Sequence, residues 1–107
     1  AAELLYKQAL AIRKKVLGEE HPEYALTLNN LAALYQEMGN YSAAELLYKQ
    51  ALAIRKKVLG EEHSDYAISL NNLAVLYKTM GNYSAAKKLY QLALSITKRV
   101  FGEERKA

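Results

Sequence analysis

The chain has 107 residues, 51% of them hydrophobic, with 15 basic and 11 acidic side chains, a net charge of +4 and no cysteine. That length suits one compact unit rather than two ordinary domains, and without thiols neither disulfides nor a thiolate metal site can hold it together. The amino-terminal stretch mixes Glu3, Lys7 and Gln8 into its apolar residues, unlike a signal peptide, and no run approaches the roughly 20 apolar residues of a membrane span, so no membrane partner and a cytoplasmic location are expected.

Residues 1–21, AAELLYKQALAIRKKVLGEEH, return unchanged at 43–63, and only seven positions differ between residues 1–42 and 43–84. A partial third copy at 85–107 keeps 12 of its 23 positions identical to the second. The five glycines, Gly18, Gly39, Gly60, Gly81 and Gly102, are spaced 21 residues apart. Each predicts a helix end, because glycine readily takes the left-handed conformation that closes a helix. The 42-residue unit is therefore a pair of helices. One domain, 1–107, divides into a half repeat (1–21), a repeat (22–63) and a repeat with a tail (64–107).

The first predicted helix, 1–17, closes on the basic run Arg13-Lys14-Lys15, which suits the negative end of a helix dipole. The second, 22–38, opens with Pro22 at the first helical position, Glu23 in the first turn and His21 as its cap. Asn40 caps the third, 41–59, which repeats the first and ends in Arg55-Lys56-Lys57. The fourth, 64–80, has Asp65 in its first turn, and the fifth, 83–101, follows Asn82 and carries Lys98-Arg99. The first, third and fifth helices are called type B here, the second and fourth type A.

Type A carries a narrow apolar stripe, Tyr24, Leu28, Leu31 and Tyr35, at spacings of four, three and four, so this face turns inward. In type B, Ala44, Leu47, Tyr48, Ala51, Leu52, Ile54, Val58 and Leu59 cover about half the circumference, which requires neighbours on two sides. A stacked all-α solenoid in the order B-A-B-A-B supplies both. The first helix has no type A helix before it and the last none after it, so self-association through these ends is expected, with Ala2, Tyr6 and Ala9 bare on the first.

The stretch NNLAALYQEMGNYSAAELLYKQAL resembles the tetratricopeptide repeat in Leu31, Ala32 and Tyr35, in Gly39 and Tyr41 at the turn, and in Ala44, Tyr48 and Ala51. With eight residues more than that family's usual unit, the 42-residue repeat looks like the kinesin-light-chain subclass. The resemblance implies a right-handed superhelical solenoid and a protein-binding or scaffolding role, with the type A helices lining a concave groove. Such close repetition also looks like a consensus design or a recent duplication. The alternative reading is a designed or truncated array with a structural or self-assembly role and no selected ligand.

Opposite the core stripe lie Leu26, Asn30, Ala33 and Glu37, flanked by Asn29 and Gln36, and in the second copy Ile68, Asn72, Val75 and Thr79, flanked by Asn71 and Lys78. Four of the seven differences between the copies fall on this surface. An asparagine amide both donates and accepts, so Asn30 and Asn72 can hold the backbone of a short extended peptide from another protein. Alternatively, Asn29 and Asn71 bond to neighbouring helices or loops.

Other chemistries find little support. His21 and His63 are single loop histidines one repeat apart, too far from each other to share a metal, and no cofactor is expected. The basic runs sit at helix ends beside GEE segments with no interleaved aromatic to stack a base, so nucleic acid is not an expected partner. Nearly every polar group is copied in register, whereas catalysis needs a single convergence of unlike groups, so the protein is not expected to be an enzyme.

Overall fold

The computed structural model describes residues 2–18 and 21–106. Five helices follow one another: α1 (Ala2–Leu17), α2 (Pro22–Glu37), α3 (Tyr41–Leu59), α4 (Ser64–Thr79) and α5 (Tyr83–Lys106). No strand occurs among the described residues. Consecutive helices pack on each other, giving a slab of 45 × 36 × 17 Å, about two helix layers thick.

The link between a type A helix and the type B helix after it is three residues long. Gly39, at φ +81°, lets its N–H bond Gln36 O at 3.0 Å while Asn40 N–H reaches Tyr35 O at 2.8 Å, a Schellman closure of α2. Asn40 then turns its side chain to the next helix, where Oδ1 accepts from Ala43 N–H at 3.4 Å. Gly81 and Asn82 repeat the arrangement between α4 and α5. At the other link His21 Nδ1 accepts from Glu23 N–H at 3.1 Å and His63 Nδ1 from Asp65 N–H at 3.0 Å. Both histidines are thus helix caps, as the sequence predicts for His21.

Gly102 departs from expectation. It lacks the positive φ of the other four glycines, and α5 runs through it to Lys106. After Gly102 no proline or capping asparagine begins another element, and Glu103, Glu104, Arg105 and Lys106 are good helix formers that carry the helix on.

The core is built repeat by repeat. Leu28 and Ala25 of α2 meet Leu10 of α1 on one side and Leu47, Ala51 and Ile54 of α3 on the other. Tyr66, Ala67 and Leu70 of α4 likewise meet Leu52 of α3 and Leu89, Ala93 and Ile96 of α5. Each type A helix is therefore clasped between two type B helices. Between these clusters Ala32 of α2 packs with Ala44 and Tyr48 of α3 and with Leu73 and Leu76 of α4, joining the two type A helices.

Polar grips accompany the apolar ones. Arg55, only 7% exposed, donates to Asp65 O at 3.1 Å and Ser69 Oγ at 3.0 Å, and Arg13 donates to Glu23 O at 3.3 Å and Thr27 Oγ1 at 2.6 Å. Their place in basic runs predicts charges held by the helix dipole and the nearby GEE carboxylates; instead each arginine ties a type B helix to the first turns of the type A helix that follows. The lysine behind Arg55 does reach the acidic loop, Lys56 pairing with Glu61 at 3.1 Å. Arg99 of α5 makes a two-pronged contact with Glu62 at 2.8 and 2.9 Å, which holds that carboxyl below its ordinary range. Glu19 and Glu20, the acidic pair of the first loop, lie outside the described residues.

Candidate functional site: the free face of the type A helices

The face of α2 and α4 turned away from the type B helices carries most of the residues expected there. Leu26, Ile68 and Val75 are 46%, 49% and 44% exposed, and Asn30, Glu37, Asn71, Lys78 and Thr79 are exposed beside them. Ala33, Gln36 and Asn72 are half-buried. The side chains of Asn30 and Asn72 make no hydrogen bond among the described residues. Their donors and acceptors are thus open to a ligand's backbone.

Asn29 does not belong to this surface. It is 6% exposed, and its Oδ1 has no hydrogen-bond partner. Asn71, the same residue one repeat later, is exposed. The two positions share local sequence but not surroundings: α2 joins a core cluster with α3 and α4 through Ala32, whereas α4 is followed by α5. Of the two alternatives raised for the flanking asparagines, Asn29 is structural, yet its carbonyl is not satisfied by any loop or helix. Gln36 is also engaged, its Oε1 accepting from Tyr48 Oη at 3.1 Å. Thr79 turns its hydroxyl back to Val75 O at 2.9 Å.

A cleft of about 200 Å³ opens at the amino-terminal edge of this face, lined by Tyr6, Asn30, Ala33, Leu34 and Glu37. It brings three expected residues together with two that local sequence does not assign to the face, Tyr6, expected only as a bare end residue, and Leu34. The repeat itself holds the signal: their counterparts Tyr48 and Leu76 are 5% and 0% exposed. Burial pushes the Tyr48 hydroxyl above its ordinary pKa, and the nearby Glu37 charge adds to the effect. Among the described residues no three His, Asp or Glu side chains gather as a metal site, and no helix is long and apolar enough to cross a membrane.

Antiparallel helix pairs stacked in register, with one helix of each pair aligned on a shared face, define an α-solenoid of the protein-binding kind. The tetratricopeptide repeat family profile matches residues 1–57 and 47–99. The chain belongs to that family, and it is of the kinesin-light-chain-like type. The crystal structure of BtubC (BKLC) from P. vanneervenii is similar at 31% identity and a TM-score of 0.86, over 92% of this chain and 39% of that one. A Podosopora anserina putative kinesin light chain with nearly identical TPR-like repeats is 34% identical with a TM-score of 0.80, over 89% of this chain and 45% of the other. The present sequence thus spans less than half the length of either structure. No curated protein sequence matches it. Repeats of this family generally serve protein–protein interaction and scaffolding.

Proposed function

We propose that this module binds a short, extended segment of another protein along the free face of α2 and α4. The observation that carries the reading is the coexistence, on one face, of three half-exposed aliphatic side chains, Leu26, Ile68 and Val75, with the unbonded amides of Asn30 and Asn72. Aliphatic contacts supply burial, and each amide pairs with a backbone carbonyl or N–H irrespective of the ligand's side chains. Charge orients the segment: Glu37 sits on the first helix and Lys78 on the second, so a basic residue fits near α2 and an acidic one near α4. Between them the ligand is neutral or apolar.

Two type A helices about 10 Å apart span only a few residues of extended peptide at about 3.3 Å each. Six residues or so fill the face, and affinity is micromolar or weaker because few contacts offset the cost of ordering the peptide. The test is a random peptide library panned on the intact protein, followed by anisotropy on Asn30→Ala with Asn72→Ala. The double variant should lose binding at least tenfold with an unchanged or higher Tm. Retained binding, or a Tm lower by many degrees, would overturn the reading.

A further inference from the structure

The free faces of α2 and α4 begin alike and end differently. Along α2 the face runs Leu26, Asn30, Ala33 and Glu37, and along α4 it runs Ile68, Asn72, Val75 and Thr79. The aliphatic residue and the amide correspond, but the next two positions differ in size and charge. Ala33 is small and half-buried, whereas Val75 stands 44% exposed. Glu37 is an exposed carboxylate in no ion pair among the described residues, whereas Thr79 carries no charge and gives its hydroxyl proton to Val75 O at 2.9 Å. The flank differs too: Gln36 is engaged by the Tyr48 hydroxyl at 3.1 Å, while Lys78 is exposed and without a partner among the described residues.

Both helices are packed between two type B helices, so these contrasts lie inside the array. None of them involves the bare residues of α1, which are Leu5, Ile12 and Val16 rather than the half-buried Tyr6 and Ala9.

Each contrast selects a side chain. Ala33 and Glu37 are one helical turn apart, about 6 Å along the axis. A ligand lysine or arginine rooted above Ala33 lies flat where no bulk lifts it, its aliphatic stem covers that rise, and its cation meets Glu37. At the same height on α4 the methyl groups of Val75 fill the corresponding space and no carboxylate lies below, so a small residue fits. A basic residue there would face Lys78 as a like charge, and an acidic one beside the small residue would pair with it. Neighbouring packed helices are about 10 Å apart and an extended chain advances about 3.3 Å per residue, so the two selected residues are about three positions apart.

We infer, resting on the peptide-binding reading of this face, that the ligand class is an extended segment with a lysine or arginine three positions from a glycine, alanine or serine, and an acidic residue next to the small one. Asn30 and Asn72 hold its main chain, while Ala33, Glu37, Val75 and Lys78 read its side chains.

The probe is a random peptide library panned on the intact protein, on Glu37→Gln and on Val75→Ala. Both substituted side chains are exposed, so the Tm should hold. Peptides enriched on the parent protein should show the basic-to-small spacing. Glu37→Gln should erase the basic preference, and Val75→Ala should admit larger residues at the small position. For an enriched peptide, anisotropy should show at least a threefold loss on Glu37→Gln that replacing its basic residue with citrulline does not deepen. Enriched peptides that need Asn30 and Asn72 but lack the spacing, or that keep it on both variants, would overturn the inference and leave the peptide face standing. Peptides indifferent to Asn30→Ala with Asn72→Ala would overturn the peptide face itself, and this inference with it.

Discussion

Tyr77 Oη donates to Glu45 Oε2 at 2.6 Å across 32 residues of sequence, and Tyr35 makes the same bond to Glu3 Oε1 at 2.7 Å. Each bond latches a type A helix to the type B helix before it. A lysine completes the latch, Lys49 lying 3.3 Å from Glu45 and Lys7 3.0 Å from Glu3. The tyrosine bond is the main reason both carboxyls titrate below their ordinary value, with the lysine charge assisting.

A pH dependence follows. A carboxyl whose pKa is depressed by folding stabilises the fold fully above its unfolded value, about 4.5, and loses that contribution as pH falls through the lowered folded value. The Tm should be nearly level from pH 7 to 5 and fall below 4.5. Tyr35→Phe with Tyr77→Phe should lower the Tm at neutral pH and flatten the acid fall, with Tyr77→Phe alone costing about 1 kcal/mol. Calorimetry across this range, with an equally steep acid fall in the double variant, would refute the latch.

The buried guanidinium of Arg55 gives a second prediction. Removing it leaves Ser69 Oγ and Asp65 O without their donor inside a closed contact, so Arg55→Ala should cost about 3 kcal/mol. Arg55→Lys should recover little, because both bonds come from Nη1 at the far end of the guanidinium and the shorter lysine side chain ends before that position. Urea unfolding of both variants checks this, and a lysine variant as stable as the parent would refute it.

Two glycines should respond with opposite signs. Gly81 has φ +84° with open space around a would-be Cβ, so Gly81→Ala meets no clash and its cost, about 1–2 kcal/mol, is backbone strain alone. Gly102 is helical and equally unobstructed, so Gly102→Ala should stabilise by up to about 1 kcal/mol. Thermal unfolding of the two variants decides the matter, and equal shifts in the same direction would contradict the backbone assignment.

The asparagine pair makes a fourth comparison. Asn29→Ala removes an orphaned carbonyl as well as a poor helix former, whereas Asn71→Ala improves only the helix propensity of an exposed position. Both should stabilise, Asn29→Ala by about 1 kcal/mol and Asn71→Ala by about half that. A destabilised Asn29→Ala in urea unfolding would mean that its buried amide does necessary packing.

What was legible in the sequence was whatever repeats alone can encode. The 21-residue glycine spacing and the His21 and Asn40 caps gave the helices, because turn and cap chemistry is local. Asn29 and Asn71 were indistinguishable because they share local sequence and differ only in their surroundings. Arg55 looked like the head of a basic run held by the helix dipole and the GEE carboxylates, since nothing local says that Ser69, fourteen residues on, waits inside the contact. Gly102 misled for the converse reason: it resembles its four counterparts, but the segment after it offers no competing turn.

In α5 the side chains of Ala86, Ala93 and Ile96 are buried, whereas no described side chain of α1 is. Cohesion is therefore graded along the solenoid, and thermal fluctuations peel it from one end. In a nearest-neighbour array a helix held on a single side opens at a free energy well below that of global unfolding. Amide protons of residues 2–17 should exchange with solvent first and those of α3 and α4 last, so the molecule unzips from its amino end while its middle stays closed.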